Sequence, residues 1–243
     1  MKIFITGASS GLGAEFARQY ASRENELFLL ARRVDKLTGL EDELLPKCKN
    51  ITLIIVDVRD FDLLQRKLKE LPAMDILILN AGISLGHSNR AVPSIAAFKE
   101  LYDVNVLANH AIVEILLPRM TAKRSGKIVF ISSLSSLFTM PSAKVYASSK
   151  RALNAYAEGI RYKYDKENIK VITILPGFIK SELTDKNDFK MPFLLDTSEG
   201  VSRMKRAIDK GREFYAFPFR FYFIIRVLNL LPSKIIQKIV DKF

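Results

Sequence analysis

An α/β architecture is predicted for this 243-residue sequence: a doubly wound parallel sheet flanked by helices, followed by an apolar and basic helical tail. Three observations carry the prediction. Short apolar runs recur at nearly regular intervals, helix-period segments fall between them, and a glycine-rich turn joins the first run to the first helical segment. Strands alternating with helices imply βαβ units with right-handed crossovers. Runs without polar alternation imply strands buried on both faces.

In chain order, the strands are expected over residues 2–6, 27–31, 51–56, 76–80, 127–132 and 170–175. The helices are expected over 12–22, 34–45, 61–71, a long 95–123, and 146–167. Lys186-Asn187-Asp188 and Pro192 mark a loop-rich stretch, and a last strand follows at 213–217. In the tail, Pro218 suits the first position of a helix over 219–231 that Pro232 ends. Ser233 then caps a second helix. It aligns Ile235, Ile236, Ile239, Val240 and Phe243 on one face, with Lys234, Lys238 and Lys242 outside that stripe. The whole chain, 1–243, reads as one domain. Residues 185–217 form its substrate-loop region and last strand, and 218–243 its C-terminal helices.

Composition excludes several classes. With 49% hydrophobic and 26% charged residues the chain is neither disordered nor collagen-like. Cys48, the single cysteine, cannot pair within the chain or build a thiolate metal site, and with only His87 and His110 besides, no metal is expected. His87 reads as a loop residue and His110 as a satisfied core or interface residue. The net charge of +12 is concentrated at the end: residues 201–243 hold ten Lys/Arg against three Asp/Glu. A basic, Phe-rich tail fits an anionic membrane surface, and it equally fits a solvated face or a pocket lid. No secretory leader or spanning segment is legible, so the expected location is cytoplasmic, with a peripheral place on the inner face of a membrane as the variant the tail allows.

Thr6-Gly7-Ala8-Ser9-Ser10-Gly11-Leu12-Gly13 follows the first strand and opens a helix. Glycines there permit a tight turn and close approach to a pyrophosphate, and the helix N-terminus offers unpaired N–H groups. This is the entrance of a Rossmann-type dinucleotide fold. The next strand ends at Ala31-Arg32-Arg33. NAD-preferring sites usually place an acid there for the ribose 2′-OH, whereas guanidinium groups suit a 2′-phosphate, so NADP(H) is expected over NAD(H).

Tyr146-Ala147-Ser148-Ser149-Lys150 opens a helix, which sets Lys150 on the same face as Tyr146. A neighbouring ammonium favours the phenolate, so the pair can serve as a general acid and base. Ser133 lies 13 residues before Tyr146, at a strand's carboxyl end, where doubly wound folds bind ligands.

Together these residues resemble the short-chain dehydrogenase/reductase family, in its single-domain branch of roughly 250 residues. The resemblance spans residues 1 to about 184. It rests on Thr6–Gly13, Asp57-Val58, Asn80-Ala81-Gly82, Asn105, Ser133, Tyr146-x-x-x-Lys150 and Pro176-Gly177, in that order. It implies a cofactor site of Gly7, Ser9, Ser10, Gly11, Leu12, Gly13, Arg32, Arg33, Asp57, Val58, Asn80, Ala81, Gly82, Tyr146, Lys150, Pro176, Gly177, Ile179 and Ser181. Asp57 would meet the adenine amino group, Asn80-Ala81-Gly82 the ribose, and Pro176 to Ser181 the nicotinamide, with Ser181 replacing the family's usual Thr. The implied catalytic set is Ser133, Tyr146, Lys150 and Asn105. Ser133 holds the substrate oxygen, Tyr146 transfers the proton, Lys150 lowers the Tyr146 pKa and binds ribose, and Asn105 holds a relay water.

The expected activity is reversible hydride transfer between NADP(H) and a carbonyl or alcohol. The loops 84–94, 134–143 and 178–198 are rich in Leu, Phe, Met and Pro and point to an apolar substrate. The resemblance also implies a homodimer or homotetramer packed through the two long helices. A catalytically silent NADP(H) sensor or membrane-surface scaffold is the alternative. Nucleic acid is not expected as a partner, since charge alone supports it.

Overall fold

The computed structural model describes residues 1–85, 92–185, 187, 189 and 191–241. His87, Lys242 and Phe243, together with part of the expected 84–94 and 178–198 loops, lie outside the described residues. The strands are β1 (Lys2–Thr6), β2 (Glu26–Ala31), β3 (Asn50–Ile55), β4 (Ile76–Leu79), β5 (Gly126–Ile131), β6 (Ile169–Pro176) and β7 (Phe214–Phe217). They form one parallel sheet in the order β3-β2-β1-β4-β5-β6-β7. Chain direction across the sheet reverses between β1 and β4. That topological switch opens a crevice at the strands' carboxyl ends.

The helices are α1 (Gly11–Tyr20), α2 (Val34–Leu44), α3 (Phe61–Lys69), α4 (Ile95–Tyr102), α5 (Ala108–Lys123), α6 (Lys144–Tyr164), α7 (Thr197–Asp209), α8 (Phe219–Leu228) and α9 (Ser233–Val240). Both faces of the sheet are covered, as continuous apolar strands require. On β1, Ile3 and Ile5 join one core with Phe16 of α1, Leu37 of α2 and Met204 of α7. Phe4 between them faces the other core, with Leu64 of α3, Ile112 of α5 and Leu153 of α6. The period-2 pleat thus divides one strand between two cores.

Four expectations are corrected. The long helix over 95–123 is interrupted by a π turn, Asp103–Leu107, whose wider backbone turns the buried Asn105 toward the loop after β4. α7 falls in the stretch read as loop-rich. Pro218 and Pro232 each precede their helix in extended backbone, so Ser233 is the first helical residue of α9 and not its cap. His110 is solvent-exposed rather than core, with Nδ1 hydrogen-bonded to the Tyr156 hydroxyl at 2.8 Å. Among the described residues no helix is long and apolar enough to cross a membrane.

Candidate active site

The switch point is fastened by one buried hydroxyl. Thr6, at the end of β1, accepts the backbone N–H groups of Asn80 and Ala81, both at 2.9 Å, while Asn80 Nδ2 donates to the Thr6 carbonyl at 3.0 Å. The turn beyond Thr6 needs its glycines. Gly7 and Gly11 have φ of +66° and +51°, and a Cβ on Gly13 would lie 2.1 Å from the Gly7 carbonyl oxygen. Only glycine lets the first turn of α1 press against the loop and leave its N–H groups facing the crevice.

A groove of about 470 Å³ runs from this turn to the catalytic candidates. All the predicted cofactor residues except Gly13 line it, and so do Ser133, Tyr146 and Lys150. Gly13 and Asn105 stand behind the wall. At one end, Arg33 donates to Ser9 Oγ at 3.1 Å and also bonds Ser10 Oγ. Lys36 adds an ammonium nearby, through Glu182 at 2.6 Å. Serine hydroxyls, a guanidinium, an ammonium and a helix N-terminus make a seat for an anion. Arg32 turns instead to Asp57, at 3.3 Å. Asp57 is also gripped by Arg59, at 3.0 and 2.8 Å, which holds its carboxyl well below the usual range.

At the other end, Tyr146 and Lys150 project from the first turns of α6 toward Ser133, which follows β5. Ser133 Oγ accepts from the Ser135 backbone N–H at 3.2 Å and from its hydroxyl at 2.9 Å. The Ser133 hydroxyl faces the Tyr146 phenol closely enough to act on its titration. Burial pushes the phenol up to about 12, against an opposing pull from Ser133. Lys150 donates to the Ile131 carbonyl at 2.8 Å, and its ammonium lies 5.7 Å from the Tyr146 ring centre. Burial lowers its pKa to about 8. The phenol's shift in this geometry is set by burial and opposed by Ser133.

Asn105 is tied to the same loop. Its Oδ1 accepts from the Ile83 N–H at 2.8 Å, and its Nδ2 donates to the Ile83 carbonyl and Ser149 Oγ, both at 3.1 Å. A Cβ on Gly82 would meet Asn105 Oδ1 at 3.3 Å and Lys150 Nζ at 3.4 Å. The amide side chain thus braces the groove floor next to Lys150.

Sequence reasoning named Thr6 only as the start of a motif and passed over Lys36, Glu182 and Thr184. Thr184 Oγ1 accepts from the Ser181 N–H at 2.8 Å and bonds the Ile179 carbonyl at 2.9 Å, folding residues 177–185 into a strap beside the groove. Beyond the strap, Phe221 of α8 stacks on Phe178 with ring centres 5.9 Å apart and lies equally far from Phe193. Pro218 and Phe221 come within 3.0 and 3.3 Å of where a Gly177 Cβ would be, so α8 packs against one of the groove's lining residues and sets an aromatic flank beside it.

The residues present fit a dinucleotide: a cradle that a Cβ on Gly13 would fill, an anion seat at one end and a proton-carrying pair at the other. Comparisons agree. A family model described as short chain dehydrogenase matches residues 1–191. An uncharacterized oxidoreductase of Mycobacterium tuberculosis is 33% identical over 98% of this chain and 96% of its own length. One of Myxococcus xanthus is 31% identical over 94% and 92%. The solved short-chain dehydrogenase from Sphingobium yanoikuyae, in complex with NADPH, shares the fold with a TM-score of 0.83 at 24% identity, over 90% of this chain and 88% of that one.

Proposed function

Because this chain belongs to the short-chain dehydrogenase/reductase family and is an oxidoreductase of that fold, we propose that it reduces an apolar carbonyl compound, or oxidises the corresponding alcohol, with NADP(H) as its cofactor. The observation that carries the reading is the convergence of Ser133, Tyr146 and Lys150 at one end of a groove whose other end holds Ser9, Ser10 and Arg33, with Lys36 reaching it through Glu182. NAD(H) is the weaker candidate, since Ala31 stands where an acid would serve it. The seat would hold the 2′-phosphate, Gly7 to Gly13 the pyrophosphate, and Lys150 with Asn80 to Gly82 the nicotinamide ribose.

When bound, the nicotinamide supplies hydride chemistry. The protein's own part is polarisation and proton transfer. The Ser135 N–H and O–H groups donate to Ser133 Oγ, so its single proton is the one group it has left to donate, toward the Tyr146 oxygen at rest and toward a substrate oxygen when one is bound. The Tyr146 phenol is protonated at neutral pH, since burial holds its pKa at about 12. It can therefore deliver its proton to that oxygen as an acid. The Lys150 ammonium stabilises the phenolate left behind. Asn105 is a positioning residue that holds the loop carrying Ile83, and its backbone is our candidate anchor for a relay water.

The aromatic flank formed by Phe178, Phe193 and Phe221 supports an apolar substrate. The chain is proposed to act as a single domain and to associate as a homodimer or homotetramer through α5 and α6, where His110 and Tyr162 are exposed, as is Leu107 in the π turn before α5. A cytoplasmic location is proposed with it. A second reading has a specific observation of its own: exposed apolar residues on α8 and α9 favour contact with an anionic membrane surface.

The deciding experiment is a panel of aldehydes and ketones assayed by NADPH consumption. Tyr146→Phe should lose about 10²–10⁴-fold in turnover while NADPH, followed by its own fluorescence, still binds at unchanged concentration. Retained turnover in Tyr146→Phe refutes the assignment. Nucleotide binding without turnover on any substrate would favour the sensor alternative.

A further inference from the structure

The anion seat is already filled by a residue of the chain. Glu182, on the strap after β6, accepts from Ser10 Oγ at 2.9 Å, from Arg33 at 2.9 and 3.1 Å, and from Lys36 at 2.6 Å. These contacts join residues more than 140 positions apart, so they bring the strap across the groove to the glycine turn. A second contact runs alongside: a Cβ on Gly11 would lie 3.2 Å from Ser181 Cβ. The strap therefore touches the turn at two neighbouring points. The carboxylate makes the same demands on Ser10, Arg33 and Lys36 that a phosphate would. It stays ionised at any working pH, because the cations hold its pKa down at about 2.

We infer that Glu182 determines cofactor choice: its carboxylate is an internal occupant of the 2′-phosphate seat, which a phosphate must displace and which an unphosphorylated ribose need not. This rests on the NADP(H) reading above and deepens it. β2 ends at Ala31 and so lacks the carboxylate that would accept from a ribose 2′-OH. The strap delivers one from the opposite wall. A 2′-OH can donate to Glu182 in place, whereas a 2′-phosphate is repelled by it and must first open the strap. The basic residues favour NADP(H), and Glu182 narrows that preference from the other side. Lys36, whose half-exposed ammonium meets Glu182, belongs to the same device.

The test measures dissociation constants for NADPH and NADH by fluorescence titration in the unaltered protein, Glu182→Gln, Glu182→Ala and Arg33→Ala, each checked by a thermal melt. The Glu182 contacts are half-exposed, so the gain from removing the charge is that of an exposed ion-pair network. NADPH should bind about fivefold more tightly in both Glu182 variants, and NADH should bind no more tightly than before. Unchanged or weaker NADPH binding overturns the inference, and so does equal tightening for both cofactors, which would mean the strap is a general gate. Arg33→Ala separates the two claims. If it weakens NADPH alone while Glu182→Gln changes nothing, the seat stands and the role of Glu182 falls. If Arg33→Ala weakens neither cofactor, the seat itself is wrong and both fall.

Discussion

Lys150 is a charge placed where the protein would not choose to put one. It is 3% exposed, it has one hydrogen-bond acceptor at 2.8 Å, and burial depresses its pKa from 10.5 to about 8. The sign of the consequence follows from linkage. Between about pH 8 and 10.5 the unfolded chain keeps this proton and the folded chain has lost it, so folding stability rises with pH across that window. Below about 8 the folded state carries the full penalty of the buried ammonium. Lys150→Met removes the charge and keeps most of the stem's packing, at the loss of the bond to Ile131. The variant should be more stable at pH 7 by on the order of 2 kcal/mol, or roughly 4–8 °C in Tm for a chain of this size. That advantage should shrink toward zero by about pH 10.5. Melts of both proteins at pH 7 and pH 10.5 check it, and a variant less stable at pH 7 would mean that the ammonium is structurally required. A residue whose removal stabilises the fold while ending turnover is held for chemistry rather than packing.

At the scale of elements, the join between β1 and α1 has the least room for change. The Cβ of Gly13→Ala would meet backbone atoms, the Gly7 oxygen at 2.1 Å and carbon at 2.7 Å, and not a side chain that can swing away. The turn and α1 must separate. A loss of about 1–3 kcal/mol is expected from such overpacking, together with a weakening of NADPH binding of at least tenfold, read by thermal melt and fluorescence titration. The sheet and most of its helices were legible for the same kind of reason. Residues 3–5 and 76–79 are apolar because both sides of the sheet are covered, and periodicity records that local fact. α7 escaped notice although Val201, Met204 and Ile208 already stood at helical spacing, because charged residues and Gly200 dilute the pattern. Gly200 is there for contact, since a Cβ would come within 2.7 Å of Ile179. The π turn at Asn105 could not be read, because it depends on what the amide meets 22 residues away at Ile83. Glu182 could not be read either. Its partners are 172 and 149 positions distant, and nothing in Lys180-Ser181-Glu182-Leu183 distinguishes it from a solvated acid. Motif residues that line the groove announce themselves by type and order, while residues that act across the groove do not.

For the molecule as a whole, the open question is what the tail faces. α8 does one job visibly: Ile225 is buried with Leu134 and Leu175, Asn229 donates to the Leu137 carbonyl at 3.0 Å, and Phe221 closes the apolar flank. Its other side is not covered. Phe219 and Leu230 are 71% and 84% exposed, and Phe223, Ile224, Val227 and Ile235 also stand open. From residue 214 to 240 there is no Asp or Glu, whereas Arg220, Arg226, Lys234 and Lys238 are all basic. Apolar side chains interleaved with cations match a bilayer interface carrying anionic headgroups, each near-surface cation adding about 1 kcal/mol. We expect the full-length protein to float with vesicles containing phosphatidylserine at low salt, to float less as salt rises, and not to float with purely zwitterionic vesicles. Phe219→Ser with Phe223→Ser and Leu230→Ser should abolish flotation while leaving the melt within about 1–2 °C, since these side chains stand largely in solvent. If the unaltered protein stays with the pellet at low salt but sedimentation shows a dimer that the triple variant breaks, the exposed face is a contact between copies and not a membrane surface.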